Sequence, residues 1–161
     1  MPEERILLKA RGSAAAMLGR KMLTCHELFD RLCKKGFDKE TAEKVVSEFV
    51  ESGYLNDLRY AEMYIADSAA LGAKGMFRIR RELMQKGISA SVIEAAADEA
   101  EPDTESALRD YIEQRNLCSR VHSRRELENL KVRLVRRGYS LYEINGVLSD
   151  YEFCFDDDSR W

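Results

Sequence analysis

The chain has 161 residues, of which 45% are apolar and 34% charged, with 2 prolines and 9 glycines. This length suits one ordinary domain, and the composition favours helices over a sandwich, a barrel or a disordered chain. A formal net charge of -3 argues against a protein that coats DNA without specificity.

The N-terminal segment carries only a short apolar run, Ile6–Leu8, between charged residues. This run is far shorter than a signal peptide or a membrane span requires. We therefore expect a cytoplasmic protein with no membrane association.

The four cysteines are scattered along the chain, without a C-x-x-C pair or the ligand spacing of a zinc site. His26 beside Cys25 and His122 near Cys118 have poor geometry for a shared ion. We expect reduced thiols, no metal site and no cofactor.

A repeat of 51 residues organises the chain. Three similar segments align on a glycine: Leu28–Phe49 with Gly36, Ile79–Ala100 with Gly87, and Leu130–Tyr151 with Gly138. A glycine in the left-handed conformation closes a helix, so each segment predicts a helix, a tight turn and a second helix. We expect Leu32, Leu83 and Leu134, each four residues before its glycine, to occupy equivalent buried positions.

In the first copy, Thr24 with Glu27 predicts a capping box at the start of the helix that carries Leu28 and Leu32. Asp38 is predicted to cap the helix after the glycine. That helix carries the apolar stripe Ala42, Val45 and Val46. A third helix upstream is indicated by Ala14, Met17 and Leu18.

The second and third copies repeat this pattern. Ser89 and Ser140 are predicted N-caps, and Glu143 completes a capping box with Ser140. Their upstream helices are indicated by Tyr60, Tyr64 and Ile65 and by Leu108, Tyr111 and Ile112. We expect Tyr60 to be a core residue because Tyr64 lies one helical turn away on the same face.

Helix breakers indicate where each copy ends: Ser52-Gly53 after the first copy, and the acidic stretch Glu99–Glu105 with Pro102 after the second. The sequence thus predicts an all-α protein of three tandem three-helix repeats, at residues 1–54, 55–102 and 103–161, the last with an acidic tail. Such repeats stack into an elongated, curved body with an extended surface for binding partners.

Charge is segregated along the chain. The segments Glu94–Glu105 and Asp150–Trp161 carry net charges of -6 and -4, so the remaining residues carry +7. Cations recur on the helix before each repeat glycine. The predicted partner-binding set lies in the second and third copies and consists of Arg78, Arg81, Lys86, Arg133, Arg136 and Arg137. For any single base, a solvated helix face or a cation at a helix C-terminus is an equally good interpretation.

Two other classes of function, DNA binding and catalysis, are alternatives to a protein-binding role. A helix-turn-helix would present the first residues of each second helix to DNA. Of those positions only Lys39 suits an acidic partner, which argues against sequence-specific readout. Phosphate loops, nucleophile elbows and metalloprotease motifs are missing from the sequence, so we predict that the protein is not an enzyme.

The stretch Gly53-Tyr54-Leu55-Asn56-Asp57-Leu58-Arg59-Tyr60-Ala61 resembles the G-x-L-[DN]-D-x-R-[FY]-A motif of the RecX family. The resemblance continues through Gly72, Gly75, Arg78-Ile79-Arg80 and Lys86-Gly87-Ile88 to Leu134–Ser140. Two departures are the segment Ala66–Leu71, where family members often carry more bases, and the acidic residues Asp156–Asp158.

This resemblance implies a monomeric regulator that lies in the groove of the RecA nucleoprotein filament and inhibits its ATP hydrolysis and strand exchange. Contact with DNA would be weak. The alternative is a helical-repeat protein that binds nucleic acid independently of RecA, and steep loss of affinity with salt would indicate it.

Overall fold

The computed structural model describes residues 1–71 and 73–155. Within these ranges the backbone forms nine α-helices and one short 3-10 helix, and it forms no β-strand. The predicted all-α class is therefore confirmed. Gly72 of the family resemblance and the acidic residues Asp156–Asp158 lie outside the described residues.

Each of the three repeats contains three helices. They are α1 (Pro2–Arg20), α2 (Cys25–Lys34), α3 (Lys39–Glu51), α4 (Asp57–Ala70), α5 (Met76–Gln85), α6 (Ala90–Ala100), α7 (Thr104–Gln114), α8 (Arg124–Arg136) and α9 (Leu141–Leu148). The 3-10 helix, Cys118–Arg120, lies between α7 and α8.

The first repeat encloses an apolar core between α1, α2 and α3. Its buried members are Ala10, Ala14, Leu23, Leu28, Leu32, Ala42, Val45 and Leu55. Asp38 caps α3 as predicted, because its Oδ1 accepts the Thr41 N–H at 2.7 Å. The predicted Thr24–Glu27 capping box is only half formed. Thr24 Oγ1 accepts the Glu27 N–H at 3.1 Å, but the Glu27 carboxylate lies 3.9 Å from Lys86 Nζ instead of closing the box.

In the second repeat, most of the predicted apolar positions are also buried, and Tyr64 is half-buried. Tyr60 is 8% exposed, as expected of a core residue, and Leu83 is fully buried. Other buried members of this repeat are Ala61, Ile65, Ile79, Ile88, Ile93 and Ala96. Ser89 caps α6, since its Oγ accepts the Val92 N–H at 3.4 Å.

The third repeat builds its core from α7, α8, α9 and the 3-10 segment. Its buried members are Leu108, Ile112, Leu117, Val121, Leu130, Leu134, Tyr139, Ile144, Val147 and Leu148. The capping box of Ser140 with Glu143 is confirmed, with both reciprocal bonds in place. Helix α8 has 13 residues, whereas α2 and α5 have 10 each.

The three repeat glycines end their helices as predicted. Gly36, Gly87 and Gly138 have φ of +102°, +85° and +102°, the region that disfavours a residue with a Cβ. In each case the residue after the glycine donates its N–H to the carbonyl of the buried leucine: Phe37 to Leu32 at 3.2 Å, Ile88 to Leu83 at 3.2 Å, and Tyr139 to Leu134 at 3.3 Å. This bond is the Schellman closure of a helix C-terminus.

The chain divides into two compact units. Unit 1 contains Met1–Met63 and Glu82–Glu99, and unit 2 contains Tyr64–Arg81 and the chain from Ala100 onward. The second repeat therefore contributes residues to both units.

In unit 1, the turn after α5 packs on the start of α2. Thr24 Oγ1 donates to the Lys86 carbonyl at 2.7 Å, and Gly87 lies so close to the His26 side chain that an added Cβ would overlap it. In unit 2, the turn after α8 packs on the start of α5 in the same way: Gly75 N–H donates to the Arg137 carbonyl at 2.9 Å. Each unit thus contains one junction between a glycine turn and the preceding repeat.

Candidate cationic interface

The six predicted partner-binding bases lie on or just after α5 and α8. Ile79 and Leu83 on α5, and Leu130 and Leu134 on α8, face inward. Arg81, Arg133 and Arg136 are exposed on the outer faces of these helices, whereas Arg78, Lys86 and Arg137 are half-buried. Five of the bases belong to unit 2, and they are Arg78, Arg81, Arg133, Arg136 and Arg137. Lys86 belongs to unit 1.

Lys86 has contacts within unit 1 that give it a structural role. Its Nζ lies 3.9 Å from Glu27 Oε1 and 5.9 Å from the centre of the Tyr60 ring. A lysine ammonium above an aromatic face is attracted by the ring quadrupole. The Lys86 ammonium group therefore interacts with groups inside unit 1 and helps to stabilise its fold.

Arg78 and Arg137 also contribute to the fold of unit 2. A Cβ at Gly138 would lie 2.6 Å from the Arg78 backbone nitrogen, so Arg78 is packed against the turn. Arg137 Nε donates to the Ala73 carbonyl at 2.9 Å, and its guanidinium carbon lies 4.3 Å from the centre of the Tyr111 ring. Substitution of Arg137 would remove these guanidinium contacts as well as the charge.

Arg81, Arg133 and Arg136 are the exposed members of the predicted set. Among the residues that the structure describes, none of these three forms an ion pair. Their charges are accessible to an anionic partner without the loss of an internal contact.

Three adjoining clefts lie on the third repeat, and two further arginines, Arg115 and Arg120, line them together with Arg133. The clefts have volumes of about 180, 200 and 320 Å³, and all three are lined by Leu117 and Arg133. We call them together the arginine cleft. Its arginines are Arg115, Arg120, Arg133, Arg136 and Arg137.

Arg115 and Arg120 are absent from the predicted set because neither lies on a helix that precedes a repeat glycine. Arg115 follows α7, and Arg120 ends the 3-10 helix. The signal that could have identified them is the density of bases between α7 and α8, where Arg115, Arg120, Arg124 and Arg125 lie within eleven residues.

Apolar and aromatic groups support this set of arginines. Leu117, Leu130 and Leu134 line its floor and are at most 6% exposed. The guanidinium carbon of Arg115 lies 4.9 Å from the centre of the Tyr111 ring, on which Arg137 also packs. Forked guanidinium groups of this kind bind carboxylate or phosphate oxygens in pairs.

The part of the chain that the structure describes contains no helix long and apolar enough to cross a membrane. Its fold is that of an all-helical protein built of three-helix repeats, with exposed arginines on α5 and α8. Models of known protein families match two segments of the chain. Residues 10–49 match the first three-helix domain of RecX, and residues 56–96 match its second three-helix domain.

Relatives that match about nine tenths of the chain carry the same name. A regulatory protein RecX of Vibrio parahaemolyticus serotype O3:K6 is 31% identical over 142 residues, which cover 88% of this chain and 91% of the relative. One of Clostridium tetani is 28% identical over 151 residues, or 91% of this chain and 69% of the relative. The chain belongs to the RecX family. These relatives are named as regulatory proteins and not as enzymes.

Solved structures support the fold. The crystal structure of a regulatory protein RecX matches with a TM-score of 0.78 at 22% identity, covering 91% of this chain and 72% of that chain. The crystal structure of RecX from Lactobacillus salivarius matches with a TM-score of 0.77 at 21% identity, covering 91% and 97%.

Proposed function

We propose that this protein is a cytoplasmic monomer that binds the RecA nucleoprotein filament and inhibits its ATP hydrolysis and strand exchange in DNA recombination and repair. The observation that supports the proposal is membership of the RecX family, whose relatives are named regulatory proteins. Filament binding is what the family resemblance implies for this chain.

The repeats give a physical route to such regulation. Several weak contacts on neighbouring filament subunits become strong together, because each bound repeat raises the effective concentration of the next. A protein that binds one state of the filament more tightly than another shifts the filament towards that state, without any catalysis of its own. Arg81, Arg133 and Arg136 supply exposed positive charge for these contacts.

The test is a charge reversal at Arg81, Arg133 and Arg136, read out as inhibition of RecA ATP hydrolysis. Arg78, Lys86 and Arg137 stay unchanged in this variant because they also support the fold. Exposed ion pairs contribute about 0.5 kcal/mol each, so reversal to glutamate should raise the half-inhibitory concentration about tenfold. The inhibition that remains should depend less on salt, because the favourable long-range field has been removed.

The matched control reverses three exposed cations of α1, Arg5, Lys9 and Arg20, which changes the net charge equally. Helicity and melting temperature are measured for both variants. Inhibition that stays equal to wild type across the salt series in the first variant would contradict the cationic interface. Absence of any inhibition by the wild-type chain would overturn the proposed function itself.

A further inference from the structure

A groove lies in unit 1 between the end of α1 and the turn that precedes α4. It has a volume of about 310 Å³. Its lining includes Leu18, Met22 and Leu23 from α1 and the segment after it, and Tyr54 and Arg59 from the turn and α4. All of these residues belong to unit 1, so the groove is formed within one compact unit. We call it the tyrosine groove, and it shares no residue with the arginine cleft.

The fold accounts for most of the motif residues near this groove, but not for two exposed side chains. Leu55 is buried in the core of the first repeat. Asn56 Oδ1 accepts the Arg59 N–H at 3.2 Å, and Asp57 Oδ1 accepts the N–H of the first residue of α2 at 2.9 Å. In contrast, Tyr54 is 76% exposed, and the exposed side chain of Arg59 forms no ion pair with any described residue. Tyr54 and Arg59 are therefore available to a partner.

The apolar part of the groove is held in place before any partner binds. The centre of the Tyr54 ring lies 6.1 Å from that of the Phe49 ring, and Phe49 packs on the core of the first repeat. Leu23 belongs to this core and is 3% exposed, whereas Met22, next to it in the chain, is 43% exposed. An ordered ring loses little conformational entropy on binding, and a methionine adapts its shape to an apolar group. Tyrosine, methionine and arginine are also the residues in which protein interfaces are enriched.

The charge around the groove favours an acidic partner. Among the described residues, no carboxylate lines the groove, whereas Arg59 does. Exposed Lys21 directly precedes Met22, and like Arg59 it forms no ion pair in the part of the chain that the structure describes. A carboxylate offers two acceptor oxygens to a forked guanidinium group. The groove therefore combines a contact for an apolar side chain with a contact for a carboxylate.

A peptide segment meets both conditions, because it can carry apolar and acidic side chains side by side. A nucleic-acid strand offers a phosphate on every unit and no aliphatic side chain to pack on Leu18 and Met22. An anionic membrane is contacted by apolar side chains that protrude from a surface, whereas Leu23 lies at the floor of a groove.

We propose that the tyrosine groove binds a short acidic segment of a partner protein. An apolar side chain of this segment packs against Tyr54 and Met22, and a neighbouring carboxylate pairs with Arg59. The binding does not depend on inhibition of RecA. It therefore goes beyond the proposed function, and the two can fail separately.

The test first selects peptides from a library of short random sequences on the immobilised full chain, without RecA. Fluorescence anisotropy then measures the affinity of the most enriched peptide over a salt series. The aromatic variant is Tyr54→Ala, and its matched control is Tyr142→Ala, which removes a 90% exposed tyrosine of α9 instead. The charge variant is Arg59→Gln, and its matched control is Arg5→Gln. Circular dichroism checks that each variant folds, as expected for substitutions of exposed side chains.

The enriched sequences should combine acidic residues with aliphatic or aromatic ones. Tyr54→Ala should weaken binding at least about tenfold relative to Tyr142→Ala, because a well-packed tyrosine is commonly a hot spot of an interface. Arg59→Gln should weaken binding about fivefold relative to Arg5→Gln. The binding that remains in Arg59→Gln should depend less on salt, because the charge pair has been removed.

Three results would overturn the proposal. The selection could enrich no sequence, the enriched peptides could lack acidic residues, or either groove variant could bind as tightly as its control. Two further comparisons test the location and the class of ligand. The arginine-cleft variant Arg120→Glu with Arg133→Glu should bind the peptide as wild type does, and loss of binding there would move the peptide site to that cleft. Vesicles of phosphatidylserine should not compete with the peptide, and strong competition would mean that the groove recognises a lipid surface instead.

Discussion

Cys25 and Cys154 differ in their surroundings although neither forms a disulfide. Cys25 is partly buried at the first position of α2, and its N–H donates to Asp57 Oδ1 at 2.9 Å. Burial first, and then the negative charge of Asp57, raises the pKa of the Cys25 thiol to about 12. Cys154 is exposed near the end of the described chain.

This difference predicts selective thiol chemistry. The thiolate is the reactive form, and a raised pKa leaves almost none of it on Cys25 at pH 8. Pulses of iodoacetamide at pH 8, followed by peptide mass spectrometry, should modify Cys154 well before Cys25. In denaturant the two should react at similar rates. Equal modification in the folded chain would contradict the burial of Cys25.

At the scale of residues, a helix cap can be predicted from the sequence when its hydrogen-bond partner lies within four residues. The caps Asp38, Ser89 and Ser140 are of this kind, and all three form. The Glu27 half of the first capping box fails because Lys86, far along the chain, lies near its carboxylate. The approach of Arg115 and Arg120 to Arg133 likewise depends on distant parts of the chain, because it follows from how α7 and the 3-10 helix pack on α8.

At the scale of elements, two constraints act on the repeat glycines: the backbone conformation and the space available for a Cβ. The sequence alone does not separate them. All three glycines have positive φ, which an L-residue adopts at a cost of roughly 1 to 2 kcal/mol. Gly138 has close neighbours as well. A Cβ there would lie 2.6 Å from the Arg78 nitrogen and 2.7 Å from the Gly75 carbonyl oxygen, whereas a Cβ at Gly36 meets no described atom within 4 Å.

Alanine substitutions at these positions should therefore lower the free energy of unfolding least at Gly36, more at Gly87 and most at Gly138. Gly36→Ala tests backbone conformation alone and should cost roughly 1 to 2 kcal/mol. Gly87→Ala should cost somewhat more because the His26 side chain must move, and Gly138→Ala should cost the most because it meets backbone atoms. Urea denaturation measures all three, and equal losses would show that the junction contacts add nothing.

The repeat predicted the order of the helices but not their lengths. Helix α8 begins six residues before Leu130, whereas α2 begins three residues before Leu28 and α5 three before Ile79. The extra turn follows from Ser123, whose Oγ accepts the Glu126 N–H at 3.1 Å and caps the longer helix. The repeat does not predict this cap, because caps upstream of the first helix of each pair do not align across the three copies.

At the scale of the whole molecule, the second repeat differs from its neighbours. The buried cluster of the third repeat draws on residues 108–148, all within its own segment, whereas that of the first repeat draws on residues 10–55 and so takes Leu55 from just beyond the predicted boundary. The second repeat is divided, with Tyr64–Arg81 in unit 2 and Glu82–Glu99 in unit 1. At the start of α5, the Gly75 N–H donates to the Arg137 carbonyl, and the Phe77 N–H donates to the Gly138 carbonyl.

The predicted boundaries at 54/55 and 102/103 can therefore be tested with fragments. A fragment of residues 103–155 should unfold cooperatively, although with no more than about 3 to 5 kcal/mol of stability, because its core is complete. A fragment of residues 55–102 should lack a cooperative transition, since it loses both the Thr24 contact with its Lys86 carbonyl and the acceptors for Gly75 and Phe77. Circular dichroism during thermal and urea unfolding distinguishes the two. Cooperative unfolding of the 55–102 fragment would mean that the second repeat is an independent domain, and that the junctions with its neighbours position it without stabilising it.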